Sequence, residues 1–291
     1  MPTWTALTTT DGEPSATALG AAMEELLDPA PTGIGVFEIE DGSGRWEVGG
    51  YFLERPDTAA LTVLATVHGA RDFSVSRVED RDWVAQVRRE LHPIEAGRFI
   101  VYGPHDAASI PPNRPGLMIE AAMAFGTGHH GTTQGCLVML DHLLRHGLKA
   151  RRVADIGCGT GVLGMAAARV WRVPVICADI DPVASATARA NAVANHLHPW
   201  VRTGTAAGFR GTLAPSRAPY DLVFANILAA PLKRLAPQIA RHLVPGGRAV
   251  LSGLLHAQVP GVEAVFRGHG FTPEKRVRLD AWSTLLMRRG G

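Results

Sequence analysis

The chain has 291 residues, 46% of them hydrophobic and 19% charged, with a net charge of +2. That length suits two packed units better than one, and the composition suits globular cores rather than a disordered tail. No run of about 18 apolar residues appears, so no membrane span is expected, and Met1-Pro2-Thr3-Trp4 lacks the basic and apolar regions of a secretory signal.

Cys136, Cys158 and Cys177 form no C-x-x-C pair, so they read as reduced thiols of a soluble cytoplasmic protein rather than a disulfide framework or zinc site. The charge is unevenly placed. Residues 1–78 hold 12 Asp/Glu against 4 Arg, a balance of −8, while the remainder holds 25 Lys/Arg against 15 Asp/Glu, a balance of +10. An acidic segment of this kind is a poor nucleic-acid binder; it is either a docking surface for a basic partner or a solvated face that aids solubility.

Taken in order, Trp4–Thr10 is Thr-rich and strand-like. Ser15 is placed to cap a helix running to about Leu27. Gly33–Glu40 and Arg45–Glu54 read as strands around the hairpin signal Asp41-Gly42-Ser43-Gly44. Pro56 and Asp57 open a helix to about His68, and Phe73–Val78 alternates as a strand. The sum, β-α-β-β-α-β, is the ferredoxin-like pattern. A charged amphipathic helix over Asp82–Leu91, a short strand at Phe99–Tyr102 and the prolines 104, 111, 112 and 115 follow. These divide the chain into a unit 1–78, a connector 79–105 and a unit 106–291.

Beyond Thr132 helices and strands alternate. Helices are expected at Thr132–His146, Val162–Trp171, Pro182–Asn195, Leu228–Leu243 and Gln258–His269. Strands are expected at Arg152–Ile156, Val175–Ile180, Trp200–Thr203, Tyr220–Ala225, Gly247–Ser252, Thr272–Leu279 and Trp282–Met287. Strands that alternate with helices imply an α/β Rossmann-like unit, a parallel sheet covered on both faces.

The densest motif is Asp155-Ile156-Gly157-Cys158-Gly159-Thr160-Gly161, between a strand and a helix. A glycine turn there lets a ligand approach the backbone and aims helix N–H groups at it. Gly159-Thr160-Gly161-Val162-Leu163-Gly164 also fits G-x-G-x-x-G, with Asp179 20 residues beyond Gly159, so a dinucleotide such as NAD competes with S-adenosylmethionine as the ligand. Asp155 directly before the turn, and a separate unit upstream, favour S-adenosylmethionine. Asp179, at a strand end, can accept from both ribose hydroxyls. Asp181, followed by Pro182, is better placed to cap the next helix. Asp221 starts and Asn226 ends the strand Tyr220–Ala225 region; Asn226 either faces the cofactor and the methyl acceptor or caps the following helix. The loop Ala124-Phe125-Gly126-Thr127-Gly128-His129-His130-Gly131-Thr132-Thr133 lacks the lysine of a Walker loop, which argues against a nucleoside triphosphate. His142 and His146, four apart on a helix, lack a third ligand, so no metal is expected.

These segments together resemble the methyltransferases of large-subunit ribosomal protein L11, the PrmA family. The resemblance covers Trp83–His92, the 124–133 loop, the Asp155 turn, Asp179–Asn195, Asp221–Leu235 and Pro245–Gln258. The loop departs from the commoner G-T-G-T-H-P-T-T form, with His129 for Thr and Gly131 for Pro. The resemblance implies a Rossmann-like S-adenosylmethionine-dependent protein N-methyltransferase behind a small N-terminal substrate-recognition unit. It implies cofactor contacts from Thr133, Gly157, Asp179 and Asn226; Asp155, Gly159 and Phe125 join them by position. Asn226 is also the expected catalytic residue, orienting the amine. The implied substrate is a lysine or the N-terminal amine of ribosomal protein L11, with a lysine of another protein as the alternative. No nucleic acid or membrane partner is expected, and the chain is expected to act as a monomer.

Overall fold

The computed structural model describes residues 3–39, 44–78, 93–119, 130–211 and 213–291. Its first unit carries β1 (Thr3–Asp11), α1 (Glu13–Leu26), β2 (Gly33–Glu38), β3 (Arg45–Phe52), α2 (Thr58–Val67) and β4 (Ser74–Val78). The strands form an antiparallel sheet in the order β2-β3-β1-β4, the β-α-β-β-α-β arrangement expected from the pattern. Ala16, Leu19 and Met23 of α1 and Leu61 and Leu64 of α2 bury against Ala6, Ile34, Val36, Val48 and Phe52. Asp57 caps α2, accepting from Ala59 N at 2.8 Å. Ser15 is not a cap. Gly12, at φ 76, takes the turn into α1, and Pro14 sits in the first helical turn, where its missing N–H costs nothing.

Three short strands follow: β5 (Ile94–Ala96), β6 (Phe99–Tyr102) and β7 (Gly116–Met118), with β5 antiparallel and β7 parallel to β6. Part of the expected connector is therefore core. Ala96, Phe99, Val101 and Leu117 bury in one cluster with Cys136, Leu137 and Leu140 of α3 (His130–Arg145). The helix expected at 82–91 and the turn at 41–43 lie outside the described residues.

The remainder is β8 (Val153–Ile156), α4 (Val162–Trp171), β9 (Val175–Asp179), α5 (Pro182–Ala194), β10 (Val201–Thr205), β11 (Tyr220–Asn226), α6 (Ala229–His242), β12 (Leu243–Leu255), α7 (Val259–Gly268), β13 (Phe271–Leu279) and β14 (Trp282–Arg289). The seven strands run β10-β9-β8-β11-β12-β14-β13, and only β14 is reversed. Alternate residues feed two cores. Val153, Val175, Cys177, Leu222 and Phe224 face α3, α4 and α5, while Ala154, Ile176, Ala178, Val223 and Ala225 face α6 and α7. Burial on both faces explains why these strands are apolar runs. Strand order reverses between β8 and β11, so a crevice opens at their carboxyl ends, where open α/β sheets bind ligands. Among the described residues no helix is long and apolar enough to cross a membrane.

Candidate cofactor and methyl-transfer site

At the carboxyl end of β8 the chain turns sharply through Gly157, Gly159 and Gly161, at φ 72, 51 and 78. Only glycine takes that left-handed region without strain. Four amides of the turn itself bond within the protein. Gly157 N and Cys158 N donate to Ala178 O at 2.8 and 3.2 Å, Gly161 N donates to Cys158 O at 2.8 Å, and Gly159 N donates to Asp179 Oδ2 at 2.8 Å. Three of these amides fix the turn to β9, and the fourth closes the turn on itself. What the turn offers is space: a Cβ on Gly159 would meet nothing within 4 Å. A Cβ on Gly157 would run into Ile227 Cγ2, so that glycine is required by the protein's own packing. Gly164 likewise lets α4 press onto Cys177 and Val175.

Asp155 lies beneath the turn, 1% exposed. Its Oδ2 accepts from Gly164 N at 2.8 Å, tying the start of α4 to β8. Its Oδ1 is buried with no hydrogen-bond partner. Burial raises its pKa to about 7; the Gly164 hydrogen bond opposes that rise and the charge of Asp179 adds to it. Asp179 closes β9 half-buried, with Oδ2 on Gly159 N and Oδ1 accepting from Asp181 N at 3.0 Å. Asp181 caps α5 through Val183 N at 2.8 Å, as its Pro182 neighbour suggests. A carboxylate oxygen accepts more than one hydrogen bond, so Asp179 keeps capacity for a ligand hydroxyl.

Asn226 ends β11, next to β8. It is not a helix cap, because Leu228 holds that position in α6. Its Nδ2 donates to Thr132 Oγ1 at 3.3 Å and Thr133 Oγ1 at 3.4 Å, which brings the start of α3 to the crevice. Asp221 sits at the opposite end of β11, where Oδ2 accepts from the Arg151 and Arg152 amides, away from the crevice. Asp155, Gly157, Gly159, Asp179, Asn226 and Thr133 thus converge, while Phe125 and His129 lie outside the described residues. The rings of His142 and His146 lie tilted against each other, with centroids 4.0 Å apart.

Some supports were not foreseen. Ser252 Oγ donates to Thr132 O at 3.2 Å and lies 2.8 Å from Thr284 Oγ1, in a buried polar link between α3, β12 and β14. Asn191 Nδ2 donates to Thr160 O at 3.0 Å and holds the glycine turn from α5. Asn195 pairs with both backbone groups of Met118, at 2.9 and 2.6 Å. Two asparagines four apart in an alanine-rich helix are a readable sign that polar side chains serve the buried face.

The open α/β sheet, the reversal between β8 and β11 and the acid-lined glycine turn define a Rossmann-like enzyme built to hold a nucleoside-bearing cofactor. The chain matches the model of the ribosomal protein L11 methyltransferase family, PrmA, over residues 17–290, and it belongs to that family. It is 40% identical over 294 residues to a protein named ribosomal protein L11 methyltransferase from Bradyrhizobium diazoefficiens, across 100% of this chain and 99% of the relative. A protein of that name from Rhodopseudomonas palustris is 42% identical over 271 residues, covering 92% and 91%. The crystal structure of a ribosomal protein L11 methylase from Lactobacillus delbrueckii subsp. bulgaricus superposes with a TM-score of 0.57 at 26% identity, covering 69% of this chain and 99% of that one. This chain is therefore a protein methyltransferase, and its methyl donor is S-adenosylmethionine. The site fits that donor. An unpartnered buried carboxyl oxygen and a second carboxylate suit a molecule carrying an ammonium and a sulfonium, and the open face of Gly159 admits it.

Proposed function

We propose that this protein methylates amines of ribosomal protein L11, lysine side chains or the N-terminal amine, using residues 1–78 to recognise the substrate and the unit from about 106 onward for transfer. The observation that carries the site assignment is Asn226, held by Thr132 and Thr133 beside the Asp155 and Asp179 carboxylates. Asp179 takes the ribose, Asp155 lies toward the ammonium, and Gly157, Gly159, Thr133 and Phe125 complete the cofactor contacts. Asn226 is the catalytic residue, with its side-chain carbonyl turned to the incoming amine because its Nδ2 is committed to the threonines. S-adenosylmethionine, when bound, supplies an electrophilic methyl. The protein's task is to orient and desolvate the amine. Neutralising a lysine at pH 7 costs about 4.6 kcal/mol and an α-amine about 1 kcal/mol, and burial next to a cation lowers that cost.

The relatives at 40% and 42% identity carry the L11 substrate in their names. The balance of −8 in residues 1–78 suits a basic ribosomal protein. One chain suffices for this chemistry, with no nucleic acid, in the compartment where ribosomal proteins are made. A dinucleotide fits less well, because the buried carboxyl of Asp155 beneath the turn repels a pyrophosphate and four amides of the turn already bond within the protein. Calorimetry with S-adenosylmethionine against NAD separates the two. Peptide mapping of L11 from cells with and without this protein identifies the amines: methylation confined to cells that contain it supports the proposal, and identical L11 in both refutes it.

A further inference from the structure

Among the described residues, Glu24 of the acidic first unit hydrogen-bonds into the segment that follows Asn226. Glu24 lies on α1, and it is 9% exposed. Its Oε1 accepts from Ala230 N at 2.9 Å. Its Oε2 accepts from Gln258 Nε2 at 2.7 Å, and Gln258 Oε1 in turn accepts from Leu255 N at 2.9 Å. Ala230 is in the first turn of α6, whose own cap position, Leu228, supplies no side-chain hydrogen bond. A helix start carries unpaired N–H groups and a positive dipole end, both of which a carboxylate satisfies. Glu24 is thus the missing cap of α6, supplied from 206 residues away.

The capped segment is the one that leaves β11 after Asn226. On its other side Gly253, at φ 81, lies so close that a Cβ there would stand 2.5 Å from Ile227 O. Ile227 N donates to Ser252 O at 3.2 Å. Residues 226–230 are therefore held between β12 and Glu24. Leu255, Ala281 and Trp282 bury in the same cluster as Leu19 and Met23 of α1, which fixes the helix that carries Glu24.

Building on the methyltransferase reading above, we propose that Glu24 is a positioning residue for methyl transfer: by capping α6 and bracing Gln258 it sets the Asn226 loop, so the docked substrate-recognition unit completes the active site. Sequence distance hides the link, and nothing in the cofactor motifs includes it.

The hydrogen-bond polarity gives a test. In Glu24→Gln the new amide nitrogen must face a donor, either Gln258 Nε2 or, with the amide reversed, Ala230 N, so one of the two bonds is lost unless Gln258 turns and abandons Leu255 N. The swap Glu24→Gln with Gln258→Glu restores all three bonds with donors and acceptors matched. Full-length wild type, single and double variants are compared by hydrogen exchange over residues 226–232, by S-adenosylmethionine affinity and by steady-state transfer to L11. The single variant is expected to exchange faster at 226–232 and to lose about tenfold in kcat, with donor affinity and KM for L11 within about twofold, as misplacement near a reacting centre does. The double variant is expected to recover both. Unchanged exchange and kcat in Glu24→Gln would overturn the proposal, and so would a double variant no better than the single one. A loss confined to KM for L11 would also overturn it, because Glu24 would then only dock the unit. If wild type transfers no methyl to L11, the substrate reading fails, and the exchange comparison alone decides the role of Glu24.

Discussion

Burial under the glycine turn lifts the Asp155 carboxyl to about 7, so near neutral pH it is shared between protonated and ionised forms. A carboxyl whose folded pKa is raised contributes stability that is present below its unfolded value, about 4, and lost as pH rises toward 7. Between those limits the contribution of Asp155 to the stability of the ligand-free protein should fall. A cation bound beside Asp155 favours the ionised form and expels the proton. Calorimetry at pH 6.5 in buffers of different ionisation enthalpy should therefore show proton release when S-adenosylmethionine binds, fading by pH 8; no proton exchange at pH 6.5 would remove Asp155 from the donor's vicinity. The glycines of the turn separate in the same way. Gly159→Ala adds a methyl to open space at φ 51, so it should cost about 1–2 kcal/mol of stability while lowering donor affinity tenfold or more. Gly157→Val collides with Ile227 and should fail to fold stably. A Gly159→Ala protein that binds the donor normally would show that its open face is not the donor's. The glycine spacing, Asp155, Asp179 and Asn226 were legible in the sequence because each sits at a strand end, where an open sheet presents residues to a ligand. Which glycine has open space beside it was not legible, since that depends on Ile227, 70 residues away in the chain.

At the scale of elements, the parallel strands were readable as apolar runs bounded by helices, and Asp181 as a cap. β5 and β7 were not, because three-residue strands carry no period. β12 begins at Leu243, earlier than its apolar core suggests, and it accommodates a register shift between Leu251 and Leu254 around Gly253. β7 owes its place to α5, since Asn195 accepts from Met118 N and donates to Met118 O. Asn195→Ala leaves both groups without that partner and should destabilise the protein by about 2–4 kcal/mol in urea titration, with α5 itself retained. A change smaller than about 0.5 kcal/mol, the range of ordinary surface substitutions, would mean that water replaces the asparagine at no cost.

Over the whole molecule, the sequence suggests two units joined by a connector over residues 79–105, from the β-α-β-β-α-β pattern before it and the prolines around its end. The structure adds a shared surface: Leu255, Ala281 and Trp282 of the second unit bury in the core of the first, and Glu24 bonds across. A chain lacking residues 1–78 should retain S-adenosylmethionine binding, because it keeps every cofactor residue, yet it should melt earlier with that apolar surface uncovered and lose transfer to intact L11. Full activity of the shortened chain on intact L11 would remove residues 1–78 from substrate recognition. The central claim, methyl transfer to L11 from the crevice between β8 and β11, meets its most direct test in the intact mass of unmethylated L11 after incubation with S-adenosylmethionine and either wild type or Asn226→Ala. Wild type should add whole methyl increments, and Asn226→Ala, at a donor concentration that saturates it, should add far fewer. L11 left unchanged by a wild-type protein that binds the donor would contradict the account.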